Sequence, residues 1–148
     1  MRSTADKTAD RARSYRRSIG ELQAADRDRD GLVEALRWLR GEAVHAARLR
    51  PRDAAALYGR LTSQLAALAS VLRQGQRAGR WRRDLGQLQA AGQHQEAFTG
   101  AVGWLAWAAT AVARADPAAA PGMYRQLTDR VTTLAAAVPG YRPDRRHH

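Results

Sequence analysis

Apolar side chains recur along this chain at helical spacing, and the pattern is written twice. Leu57, Leu61, Leu65, Leu68 and Leu72 stand 4, 4, 3 and 4 residues apart, which lays one stripe along an α-helix. Shifted by 66 positions, Met123, Leu127, Val131, Leu134 and Val138 repeat the stripe with every position apolar. The segment before it behaves alike: Leu32, Leu36, Leu39, Ala43 and Ala46 match Phe98, Val102, Leu105, Ala109 and Val112. Each half is therefore expected to hold a helical hairpin that turns near a proline, Pro51 or Pro117, a residue suited to a first helical turn. Asp116, just before Pro117, is a good N-cap and Arg50 a poor one.

A third helical piece lies upstream in each half, YRRSIGELQAA from residue 15 and WRRDLGQLQAA from residue 81, with Ile19 and Leu22 matched by Leu85 and Leu88. Between it and the next piece comes DRDRDG in one half and GQHQEA in the other. This polar stretch either breaks the helix or forms an exposed turn inside one helix of about 35 residues, roughly 50 Å long. Without gaps, residues 15–72 and 81–138 share 20 identities in 58 positions, where composition alone gives roughly 6. No alternating β-branched segment competes. The expected fold is all-α: an internally duplicated bundle of two 66-residue units, with four long or six shorter helices about a pseudo-twofold axis.

The boundaries follow from the same comparison. Residues 1–14 form a flexible basic N-terminal segment, 15–80 repeat 1, 81–139 repeat 2 packed with it as one domain, and 140–148 a flexible basic tail. The joint is RQGQRAGR, residues 73–80, whose two glycines and polar character mark a loop.

Composition narrows the functions. At 148 residues the chain is long enough for one ordinary core, and it has no cysteine, which removes thiol catalysis, thiolate metal sites and disulfides. A cytoplasmic location fits. Neither a leader nor a membrane role is expected: the N-terminus lacks an apolar core segment, and the 17 uncharged residues of 97–113 are rich in small side chains and fall short of the roughly 20 a span needs. The net charge is +11, and Lys7 is the sole lysine. An arginine-for-lysine bias beside 32 alanines is what a GC-rich bacterial genome writes, so part of the charge is compositional. It attracts polyanions all the same.

The most suggestive basic feature is a doubled cluster. Arg11, Arg13, Arg16 and Arg17 flank Tyr15, while Arg77, Arg80, Arg82 and Arg83 flank Trp81, at what look like equivalent helix starts. Arginine binds phosphate bidentately, helix N-termini favour anions and a ring can stack on a base; equally, Tyr15 and Trp81 can be core staples.

Divergence between the halves supplies a second candidate. One face of the middle helix carries Glu34, Arg37, Arg40, Glu42 and His45 in the first half but Gly100, Gly103, Ala106, Ala108 and Ala111 in the second. Trp107 replaces Gly41, one turn from Trp104. A helix that is small or apolar all round is buried all round. It is either the centre of the bundle or an interface to a second copy or a protein partner, built on Gly100, Gly103, Trp104, Ala106 and Trp107.

Catalytic motifs are nearly absent, with no phosphate-binding glycine loop, no nucleophile elbow and no paired metal-binding helix motif. Neither a metal nor another cofactor is expected from the four histidines, His45, His94, His147 and His148. Arg40-Gly-Glu-Ala-Val-His45 resembles the Arg, four to six residues, His spacing of the helical HEPN nucleases. The resemblance implies an arginine on the scissile phosphate beside a histidine acting as general acid or base. Gly41 stands where that family has a polar residue. The leading expectation is a non-enzymatic helical protein that contacts DNA or RNA backbone through its arginines and self-associates. The alternatives are a protein adaptor using helix 97–113 and, more remotely, a nuclease with Arg40 and His45.

Overall fold

The computed structural model describes residues 3–72 and 76–143, and among these it is an all-α bundle of six helices with no strand. The helices are α1 (Thr4–Ala24), α2 (Asp28–Leu49), α3 (Ala54–Val71), α4 (Gln76–Ala90), α5 (His94–Ala115) and α6 (Ala120–Ala137), with short 3-10 turns at Pro51–Asp53 and Val138–Gly140. The bounds of α5 and α6 fall 66 residues after those of α2 and α3, the offset of the sequence repeat.

The polar stretches DRDRDG and GQHQEA break the helix in the same way, so each half has three helices. At the end of α1, Asp26 adopts φ 57°, while Gly92 adopts φ 77° at the end of α4. The Arg27 N–H then donates to the Leu22 carbonyl at 2.8 Å, and the Gln93 N–H to the Leu88 carbonyl at 2.8 Å. These bonds close a Schellman cap and satisfy carbonyls that helix ends leave without partners.

The stripes form the core, with Leu36, Leu39, Leu61 and Leu65 buried in the first half and Leu105, Leu127 and Val131 in the second. Their pairing differs from the expected hairpins. α2 and α3 meet only near their turn; beyond it α3 packs along α5 of the other half, and α6 packs along α2. Arg50 (φ −136°, ψ 75°) and Asp116 (φ −141°, ψ 79°) swing the chain out before each proline, so α3 and α6 start three residues after Pro51 and Pro117. An apolar stripe specifies that a helix is covered, not by which neighbour. The exchange interlocks the halves, and α1 and α4 complete it by packing on α2 and α5. The Asp28–Arg125 pair, buried on the aspartate side, ties the first turn of α2 to α6 at 2.7 Å.

Two expected boundaries are corrected. The N-terminal segment is helical from Thr4, capped by the Ser3 hydroxyl, which accepts the Asp6 N–H at 3.1 Å, and it is held by Arg11 pairing with Glu42 on α2. The joint 73–80 is shorter than a loop of eight: Gln76 onward is α4 and Ala78 is buried, while residues 73–75 lie outside the described residues. In the tail Tyr141 is half-buried with Arg60 over its ring at 5.5 Å. Residues 144–148, including His147 and His148, lie outside the description.

Candidate anion-binding groove

The aromatic residues of the doubled cluster face inward. Tyr15 stacks on Trp38 with ring centroids 5.7 Å apart and 9° between planes; Trp81 stacks on Trp104 at 6.4 Å and 1°. Trp38 and Trp104 are buried, so each stack fastens an outer helix to a central one. Nor do the two clusters sit at equivalent helix starts. Trp81 lies six residues into α4, but Tyr15 lies mid-helix in α1, where helical N–H groups are already bonded and offer an anion nothing.

Several cluster arginines are engaged. The Arg11 Nε donates to Glu42 Oε1 at 3.1 Å, and its Nη2 to Oε2 at 3.3 Å. Arg13 pairs with Asp10. Arg16 lies over the Trp38 ring at 5.7 Å and Arg77 over Trp107 at 5.0 Å, while Arg82 donates to the Ser70 hydroxyl at 2.9 Å. Arg17, Arg80 and Arg83 point to solvent.

The stretch Glu34 to His45 on α2 is likewise not one outer face. Glu42 is 4% exposed, because position 42 turns towards α1, where Arg11 neutralises it. The residues that do face outward build a groove of about 730 Å³ along α2, and α5 contributes Val102 and Ala106 to it. Arg37, Arg40, Arg48 and His45 line it together with Tyr15, and no carboxylate does. Leu36 and Val102, and likewise Arg40 and Ala106, are repeat-related pairs that all line this groove, so it runs where the two halves meet. Glu34 approaches Arg37 at 3.7 Å from outside it. Its field reaches inward: burial pushes the Tyr58 hydroxyl above its ordinary 10.0, and Arg48 pulls it the other way.

Arg37 and Arg48 are groove residues that the motif search passed over. Their signal is helical spacing, with Arg37, Arg40 and Arg48 sharing a face, but Arg48 also matches Arg114 and so reads as scaffold.

The proposed interface residues are mostly spent inside the fold. A Cβ on Gly100 would lie 3.1 Å from Leu85 Cδ2, and one on Gly103 would lie 3.9 Å from the Trp81 ring. The glycine face thus admits α4. Trp104 is fully buried, Ala106 floors the groove and Trp107 is half-buried beneath Arg77.

Arg40 and His45 do line one groove, yet no second acid or base group accompanies His45 there apart from Tyr15, whose ring is stacked on Trp38. Among the described residues no cluster of His, Asp or Glu could hold a metal ion, and no helix is long and apolar enough to cross a membrane. No family model matches the chain, and neither a curated protein nor a solved structure matches it significantly.

Proposed function

We propose that this protein binds the phosphate backbone of nucleic acid and that the α2 groove, rather than the Tyr15 and Trp81 clusters, is the principal contact. The observation that carries the reading is the groove's lining: Arg37, Arg40, Arg48 and His45 with no acidic side chain, on a chain of net charge +11. Guanidinium groups spaced along one helix face match a run of phosphates and give affinity with little sequence discrimination. The groove offers Tyr15 only edge-on, so backbone contact dominates over base stacking. Exposed Arg17, Arg80 and Arg83 add a diffuse field that steers the polyanion. Such a role suits the cytoplasmic location expected of a chain without cysteine.

Fluorescence anisotropy of labelled single-stranded DNA and RNA across a salt series tests the reading. Three displaced phosphate counterions give a log–log salt slope of about −2 for a single strand. Arg40→Glu with Arg48→Glu should flatten that slope and weaken binding at least tenfold, and Arg13→Glu with Arg17→Glu should cost less. Absence of binding at low salt, or equal losses from both pairs, overturns the groove assignment.

A further inference from the structure

A second cavity, of about 550 Å³, opens between the N-terminal half of α1, α2 and the end of α6. Its size is that of small-molecule sites, which range over about 300–1,000 Å³. Its walls are apolar, with Ala5, Ala9, Leu49 and Pro139 among them, and its charged residues are Arg11, Arg16, Glu42 and Arg50, with His45 beside them.

This cavity belongs to the first half alone. α1 begins at Thr4, whereas α4 is described from Gln76, the match of Asp10, so the turns that carry Ala5 and Ala9 have no counterpart in α4. Glu42 and His45 are replaced by Ala108 and Ala111 at the matching positions. A carboxylate only 4% exposed costs stability compared with the alanine that the same fold accepts 66 residues later. Folding therefore does not account for it.

The charges discriminate between ligands. Both Glu42 oxygens accept from Arg11, which leaves no open carboxylate for a cation. Arg50 leans on Asp53 at 3.9 Å. Arg16 is held only by the Trp38 face, at 5.7 Å, and so presents a pre-positioned guanidinium at the rim of an apolar chamber. We infer that this cavity binds a small amphipathic anion, an aliphatic or aromatic carboxylate, with its head on Arg16 and its body along Ala9, Leu49 and Pro139. This site is separate from the nucleic-acid groove and does not depend on it.

The probe is decanoate, below its micelle-forming concentration, with decyltrimethylammonium as the tail-matched cation. Calorimetry should give one-to-one binding of decanoate and none of the cation. The Trp38 indole N–H resonance should move on addition while that of Trp104 stays. Arg16→Gln, at an exposed position, should weaken decanoate at least tenfold, and Ala9→Trp should abolish it, both with unchanged circular dichroism. Equal binding of the cation, a Trp38 resonance that does not move, or undiminished affinity in folded Arg16→Gln would overturn the assignment. So would the absence of any decanoate binding.

Discussion

The Trp81 ring lies parallel to that of Trp104, at 1° and 6.4 Å between centroids, and Tyr15 lies on Trp38 in the same manner 66 residues earlier. One residue of each pair belongs to an outer helix and the other to a central one, so the stacks act as fasteners. Trp81→Ala should cost about 3 kcal/mol, since it removes a large half-buried ring from a buried partner. Trp81→Tyr, which copies the other half, should cost less than about 1 kcal/mol. Urea titration followed by far-UV circular dichroism separates the two. A Trp81→Ala loss below that of Trp81→Tyr would show that the ring serves something other than packing.

Glu42 and Arg11 make the second test, because their matches are Ala108 and Arg77. In the second half Arg77 turns instead to the Trp107 ring. Removing Arg11 alone leaves a buried carboxylate without its partner. The usual cost of about 3–5 kcal/mol should be reduced to roughly 1–3 because the arginine is partly exposed. Arg11→Ala with Glu42→Ala should recover most of that loss. A double-mutant cycle measured by thermal denaturation gives the coupling; a double variant no more stable than Arg11→Ala would mean that Glu42 is satisfied by other groups.

The helical class, the stripes and the break at DRDRDG were within reach of the sequence because each rests on local chemistry: apolar spacing, a glycine at Gly92, polar flanks. The exchange of α3 and α6 between halves was not, since Leu57 to Leu72 make the same stripe whichever helix covers them. Glu42 illustrates the other limit. By its chemical type it belongs on an outer face with Arg40 and His45, and only the approach of Arg11, 31 residues earlier, turns it into a buried ion. The groove was half legible. Its arginines share a helical face, but their freedom from acidic neighbours depends on Val102 and Ala106 arriving from α5. Gly100 and Gly103 gave a true signal of close approach, and the helix they admit is α4 of the same chain.

Asp26 and Gly92 offer the cleanest comparison, because both sit in the left-handed region, at φ 57° and 77°, in the same cap. Glycine takes that conformation freely, whereas aspartate meets a steric penalty that its short side chain only partly relieves. Asp26→Gly should therefore stabilise the protein by about 0.5–1 kcal/mol. Gly92→Ala should destabilise it by about 1 kcal/mol. The gain at Asp26 should survive in high salt, because its only ion pair is a 3.8 Å contact with Arg125 from a side chain 93% exposed. Denaturant melts of the two variants in low and high salt check both signs. A loss on Asp26→Gly that disappears in high salt would mean that the Arg125 contact, and not the backbone, holds the turn between α1 and α2.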